Sequence, residues 1–544
     1  MLPTLTAPTT PCPPAAPSFS KPPPSHAPAP ESGSYDEAIS ALNSLQTNAA
    51  LLARVRKERQ RNVHLNLPLT TRYLERSGMT LDDLDTLQVI HVSGTKGKGS
   101  TCAFCESVLR HEGLKTGFFS SPHLVSATER IRINGAPIDE AKFTWYFWQV
   151  YNSVCRGYSE DDRPPYFKFL TILAFNIFWR EGVEVAVMEV GIGGAFDCTN
   201  IVRRPVVCGI TALGLDHTSL LGATIEEIAW HKAGIMKQGV TTYLEPNQPP
   251  GALRVVSERA EELGARVCSV ARLGEGVKLG LEGEVQRSNA ALGLALATHF
   301  LAVRRGVPPP CPLPCQPLPP CTARGLAATR WPGRSHLLPR PGLLWCLDGA
   351  HTGESMAACT QWFGSLAPSP GPVFRVLVFN TTGDRQVESL LAPLAALPWH
   401  AVIFCTNMSG RGEGGRQDQQ NFTTTGAAQL ARCQEHMDVW AGLTTAPALV
   451  VPCINDALLW ASGGREGVLE GEFQGREEVP RALLGAGTVE VLVTGSLHLV
   501  GGVLACLLPG GIEEGEDRRR KLKSSQEDCD SSHEKLDSIK DRQS

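Results

Sequence analysis

Val89-Ile90-His91-Val92-Ser93-Gly94-Thr95-Lys96-Gly97-Lys98-Gly99-Ser100-Thr101 is the stretch whose reading decides the fold. The β-branched run Val89 to Val92 predicts a buried strand. A glycine-rich turn follows, and Thr101 to His111 predicts a helix with one apolar side. Strand, glycine loop and helix N-terminus together make a phosphate cradle. Backbone N–H groups face the anion there, and the helix dipole favours negative charge. Gly97, Lys98, Gly99 and Ser100 are the candidate nucleotide contacts. Lys98 would reach the β- and γ-phosphates, with the Ser100 hydroxyl near the place of Mg2+. The general P-loop pattern has Ser or Thr directly after Gly-Lys, whereas Gly99 intervenes here. A plain glycine turn is the competing reading.

Further along the chain the same pattern recurs. Thr116 to Leu124 predicts a strand running into a loop that carries Ser121. Tyr166 to Trp179 is apolar at helical spacing; its Phe167 and Phe169 read as core or as flanks of an aromatic ligand. Val183 to Val190 and Val206 to Leu213 predict two more buried strands, followed by Gly191-Ile192-Gly193-Gly194 and Gly214-Leu215-Asp216-His217. A second series comprises Leu343 to Leu347, ending at Asp348-Gly349-Ala350-His351, then Val373 to Phe379, Ala401 to Cys405, and Val489 to Val493 before Thr494-Gly495-Ser496. Strands alternating with helices predict an α/β protein: an N-terminal P-loop domain with a doubly wound, mostly parallel sheet, and a smaller Rossmann-like C-terminal α/β domain. Ligands of such sheets bind at the carboxyl ends of the strands. Ser121, Glu189 and His217 fall at such ends. An unpartnered buried carboxylate is costly. A hydroxyl, a carboxylate and an imidazole around a phosphate-bound Mg2+ would relieve that cost. Mg2+ prefers oxygen ligands, so a satisfied core histidine is the competing reading of His217.

The chain has 544 residues, 42% of them hydrophobic, enough for several domains with sizeable cores. The formal net charge of −4 gives no reason to expect nucleic acid or an anionic membrane as partner. No apolar run reaches transmembrane length. Seventeen scattered cysteines, an odd number, read as reduced thiols. Cys102 and Cys105 lack a second pair at zinc spacing and read as core. About one residue in three is Pro in residues 1–33, which predicts disorder. That segment has no Arg, which makes it a poor presequence. The expected organisation is a disordered segment 1–33, an ATP-binding domain 34–306, a Pro- and Cys-rich linker 307–328, a C-terminal domain 329–510 and a disordered tail 511–544. The basic run Arg54 to Arg61 reads as a solvated helix face or an anion site. Polar stretches around residues 410–420 and 463–478 read as loop insertions.

Gly94-Thr95-Lys96-Gly97-Lys98-Gly99-Ser100 resembles the P-loop of the Mur-ligase superfamily, and within it that of folylpolyglutamate synthases. Glu189 to Gly194, Asp216-His217-Thr218, Ile228 to Ile235, Trp331-Pro332-Gly333-Arg334 and Leu347 to Thr352 match further motifs of that family in order. The resemblance runs from about Tyr35 to Leu507. It implies ATP-dependent addition of L-glutamate to the γ-carboxylate of tetrahydrofolate and its polyglutamates. It places the metal on Ser121, Glu189 and His217. It gives ATP contacts to Asn289, Arg334 and Asp348, and the incoming glutamate to His351 and Ser496. Lys98, His351 and Lys232 are the candidate catalytic residues. Lys232 stands where related ligases carry a carbamylated lysine; a plain cation and an exposed helical lysine are its competing readings. A carboxylate approaching a triphosphate meets like charge, so two cations are expected there. The implied cofactors are Mg2+ at two sites, with K+ a further candidate, and ATP is a co-substrate. A monomer is expected, cytoplasmic, with a mitochondrial form from another start site. Val285 and Thr128 depart from the family pattern, which has His and Arg at these positions. Dihydrofolate synthase and a weakened folate- or nucleotide-binding paralogue are the alternative functions.

Overall fold

The computed structural model describes residues 33–46, 63–309, 318–367, 369, 371–383, 385–410, 418, 425–469 and 480–509. The Pro-rich start, the basic run Arg54 to Arg61, the tail 511–544 and most of both polar insertions lie outside the described residues.

Eight strands form the first sheet: β1 (Val89–Ser93), β2 (Thr116–Phe119), β3 (Ile131–Ile133), β4 (Ala136–Pro137), β5 (Val185–Glu189), β6 (Val207–Ile210), β7 (Thr241–Leu244) and β8 (Arg266–Ser269). Their order is β4-β3-β2-β5-β1-β6-β7-β8. All neighbours pair in parallel except β2 with β3 and β3 with β4. Parallel strands covered by helices on both faces read as continuous apolar runs, and all of β1 and β5 is buried. One face packs against the helices Tyr35–Ser44, Glu140–Val154 and Tyr166–Arg180. The other packs against Lys98–His111 and Val285–Arg304. β1 lies between β5 and β6, so the chain winds away from it in both directions, and the crevice of a doubly wound sheet opens at its carboxyl end.

The second sheet has the order β13-β12-β11-β14-β10-β9, with β9 (His336–Arg340), β10 (Leu343–Leu347), β11 (Val373–Phe379), β12 (Ala401–Cys405), β13 (Ala448–Val451) and β14 (Thr488–Thr494). Only the β9–β10 pair is antiparallel. Most strands inside both sheets were legible as apolar runs; the short inner strands β3 and β7 (Thr-Thr-Tyr-Leu) were not, nor were edge strands such as β8 (Arg-Val-Cys-Ser) and β9 (His-Leu-Leu-Pro-Arg), where one side meets solvent.

The linker reading of 307–328 needs correction. Pro320–Ala328 is a helix with Pro at its first turn. It packs on Lys98–His111, where Ser107 Oγ donates to Gly325 O at 2.8 Å. A Cβ on Gly325 would lie 2.7 Å from Val108 Cα. Proline content disguised a helix whose buried face is Thr322, Gly325 and Leu326. Cys102 and Cys105 are fully buried free thiols, as expected of core residues.

Candidate active site

Loops after β1, β2, β5 and β6 and loops after β10, β11 and β14 line one cavity of about 2470 Å³. Gly94 and Gly97 have φ of +143° and +83°, a region that L side chains rarely enter. A Cβ on Gly97 would lie 2.1 Å from Asn289 Oδ1, which brings Asn289 against the loop. Asn289 in turn donates to Gln286 Oε1 at 3.0 Å. Thr95 and Lys96 donate their N–H groups to Ala212 O at 2.9 and 3.1 Å, tying the loop to the segment after β6. The helix starts at Lys98 without a side-chain cap, an arrangement that suits an anion. Ser100 is buried in its first turn. Lys98 Nζ folds back onto Gly94 O and Thr95 O at 3.1 and 3.4 Å.

Lys232 is 2% exposed and donates to Gly94 O at 2.7 Å. Burial, reinforced by Lys98 and Lys96 and opposed by Asp216, holds its pKa well below the usual lysine value. The exposed-lysine reading is thereby removed.

Glu189 ends β5, is 4% exposed and accepts a hydrogen bond from Ser121 N–H at 3.1 Å. Burial pushes its pKa up, against the pull of Lys98, Arg334 and Arg130. A buried carboxylate with one neutral donor is short of positive charge. His217 adopts the left-handed conformation at φ +52°, and its N–H donates to Asp216 Oδ1 at 2.9 Å. It lines the cavity. Desolvation by the cleft walls lowers its pKa, with Asp216 opposing and Lys98, Lys232 and Lys96 assisting. The neutral imidazole is the ligating form. Ser121, Glu189 and His217 line the cavity together. Among the described residues no group of three or more His, Cys, Asp and Glu could hold a metal by itself. A hydroxyl, a carboxylate and an imidazole on one cavity wall are donors that a divalent ion could use if phosphate and water completed its shell.

Across the cavity Asp348 accepts from Ser335 N–H at 2.8 Å and from Ala350 N–H at 2.9 Å. Its pKa is raised by burial and opposed chiefly by Arg334. His351 Nδ1 bonds Gly349 O at 2.7 Å. That fixes the ring hydrogen on Nδ1 and leaves Nε2 as an acceptor. Burial, and then Lys96, lowers its pKa to about 3, so the ring is neutral. Ser496 departs from its expected place. It is 1% exposed, its hydroxyl caps the helix Leu497–Leu507 by accepting from His498 N–H at 3.1 Å, and it is not among the residues lining the cavity, whereas His498 is. Val285, at 52% exposure, opens its helix on the cavity wall. Thr128 is buried and bonds Ser126 Oγ at 2.8 Å, away from the cavity lining.

The sequence reading missed two groups. Lys96 Nζ bonds Asp216 Oδ2 at 2.8 Å and reaches His351 Nε2 at 3.4 Å, joining the two sheets across the cleft; a second lysine in a glycine loop was the only signal. Asp418, of the second domain, accepts from Tyr35 OH at 3.0 Å and from Ala127 N–H at 2.8 Å, and its carbonyl bonds His123 Nε2 at 3.0 Å. No sequence pattern announces that docking.

No protein-family model matches the chain. The mitochondrial folylpolyglutamate synthase of Homo sapiens is 45% identical over 541 residues, covering 87% of this chain and 92% of the relative. A putative folylpolyglutamate synthase of Caenorhabditis elegans is 37% identical over 491 residues, covering 86% and 92%. Among solved structures, the bifunctional folylpolyglutamate synthase/dihydrofolate synthase of Yersinia pestis, complexed with AMPPNP and a Mn ion, is similar with a TM-score of 0.59 and 26% identity, covering 81% of this chain and 93% of that one. With a nucleotide cradle, a metal-competent donor set and a facing second domain in one cavity, and with these relatives over most of its length, the chain belongs to the folylpolyglutamate synthase family.

Proposed function

We propose that the protein uses ATP to join L-glutamate to the terminal γ-carboxylate of a reduced folate, releasing ADP and phosphate. The observation that carries this reading is the composition of this cavity. One part holds the P-loop and the donors Ser121, Glu189 and His217. Another is apolar and aromatic, with Tyr73, Tyr166, Phe167 and Phe196, and with Leu65, Leu69 and Ile192 left 42%, 36% and 41% exposed. Such a wall suits a flat ring system whose tail reaches the phosphates.

In this mechanism the P-loop amides and Lys98 hold the triphosphate, and Arg334 and Asp348 contact it from the second domain. Ser121, Glu189 and His217 would hold Mg2+, which would supply positive charge to the phosphates. The folyl γ-carboxylate oxygen attacks phosphorus and ADP leaves. The amine of glutamate, once it has lost a proton, then attacks the acyl phosphate carbon, and phosphate leaves as the amide forms. Positioning and charge neutralisation supply most of the rate. Lys96 and His351, meeting across the cleft, hold the two domains in register. Closure there excludes water that would hydrolyse the acyl phosphate. Lys232, a buried amine of lowered pKa, is suited to react with CO2 and become an anion beside the metal. Residues of one chain line the cavity from both sides, which suits a working monomer. The name of the human relative supports a mitochondrial form, to which the reading adds a cytoplasmic one.

ADP release is measured with tetrahydrofolate and L-glutamate together and with each alone, and the products are weighed. Turnover requiring both, with successive glutamyl additions, is expected. A single addition, to dihydropteroate alone, would make the protein a dihydrofolate synthase; no turnover would make it a binding paralogue.

A further inference from the structure

Arg130 is a cation whose hydrogen-bond partners are neutral, lying between the side of Glu189, on whose charge it acts, and the aromatic wall of the cavity. It is 9% exposed and lines the cavity. Its Nε donates to His123 Nδ1 at 2.9 Å, and its guanidinium lies 5.4 Å from the centre of the Tyr166 ring. Among the described residues it enters no ion pair. His123 accepts on Nδ1, so its Nε2 carries the hydrogen that it gives to Asp418 O at 3.0 Å. The imidazole is therefore neutral and oriented from both sides. It aims the guanidinium without neutralising it. Glu189 acts on this guanidinium only through space, and the guanidinium's hydrogen-bond partners His123 and Tyr166 are neutral, so it is poised for an anion, and its planar fork matches a carboxylate. The N-terminus of the helix Leu497–Leu507, with His498 on the cavity wall beside Arg130, adds favourable potential for such a ligand.

The location narrows the choice of anion. Arg130 stands between the side of Ser121 and Glu189, where a carboxylate would be activated, and the aromatic wall of Tyr166 and Phe167. The terminal glutamyl residue of a folate carries two carboxylates of similar reactivity, and one must be kept from reacting. We propose that Arg130, aimed by His123, binds the α-carboxylate of the terminal glutamyl residue and thereby presents the γ-carboxylate to ATP. This rests on the folate-ligase reading above and adds the origin of its regiochemistry.

The test crosses a change in the protein with a change in the substrate. Wild type and Arg130→Gln are each assayed with a reduced pteroylmonoglutamate and with its α-carboxamide analogue. Wild type is expected to lose about a hundredfold in kcat/KM on the α-amide, the scale for stripping one partner from a buried charged pair. Arg130→Gln is expected to lose a similar factor on the normal folate, chiefly through KM for folate. KM for ATP and glutamate should stay unchanged, and the variant should treat the two substrates alike. Arg130→Lys, which keeps the charge and loses the fork, should fall between. Wild-type turnover of the α-amide at undiminished kcat/KM overturns the proposal whether or not any variant folds. So does a variant that still prefers the acid by the wild-type factor, or one whose KM for ATP rises instead. Failure of the folate-ligase reading would look different: wild type would add no glutamate to the unmodified folate.

Discussion

At the scale of single residues the site depends on side chains held in unfavourable surroundings. Glu189 is a buried carboxylate whose pKa is raised by desolvation. Glu189→Gln removes the charge and keeps the shape, so the metal concentration for half-maximal rate should rise by about tenfold or more. The melting temperature should hold or increase, because an undercompensated buried charge is gone. A metal titration identical to wild type would make Glu189 structural. Lys232 allows a test of charge sign. If it carries a carbamate, Lys232→Ala should lose activity on the order of a hundredfold, and formate or acetate should restore part of it. If it acts as the amine that bonds Gly94 O, Lys232→Arg should stay active and added carboxylate should do nothing. One formate titration of the alanine variant separates the two. The identity of these residues was legible from motifs. The burial of Lys232 was not, since Trp230-His231-Lys232 has no pattern that distinguishes a buried face from an exposed one.

At the scale of elements the P-loop helix Lys98–His111 is clamped by its neighbours through glycines. A Cβ on Gly293 would lie 2.8 Å from Thr101 O, and one on Gly325 would lie 2.7 Å from Val108 Cα. Gly325→Val should therefore push the helix Pro320–Ala328 off its seat. The expected loss is about 1–3 kcal/mol of stability, as for overpacked cores, seen as a lower denaturation midpoint. KM for ATP should rise with it, because the helix Lys98–His111, which loses this support, begins at the phosphate loop. An unchanged midpoint would mean that this contact is loose. Helix Pro320–Ala328 itself was hidden in the sequence: the surrounding prolines signal a linker, and its contact face carries a single large apolar residue, Leu326.

At the scale of the whole molecule, burial keeps several histidines neutral. The pKa values of His91, His123 and His351 are lowered to about 3, and those of His299 and His436 to about 4, with desolvation the first cause in each. An unfolded histidine titrates near about 6.5. Between that value and the folded ones the unfolded chain binds more protons, so the stability these rings contribute is full above pH ~6.5 and is lost as pH falls. Glu189, Asp197, Glu245 and Asp348, all raised by burial, act in the opposite sense at the acid end of this window. The melting temperature should thus decline from pH 7 to pH 5, with net proton uptake on unfolding. A flat profile over that interval would contradict the neutral-histidine assignment.

The sequence by itself determined the fold class, the position of the nucleotide loop and the motifs that bring Ser121, Glu189, His217, Asp348 and His351 to strand ends. Those features are local: periodicity sets strands and helices, and glycine spacing sets a loop. Only the tertiary structure decided which charges are buried and what faces them. It placed Ser496 in a helix cap, set Lys96 between Asp216 and His351, and left Arg130 on a neutral histidine held by Asp418. Desolvation and long-range partners fix these states, and neither is encoded within any single stretch of the chain.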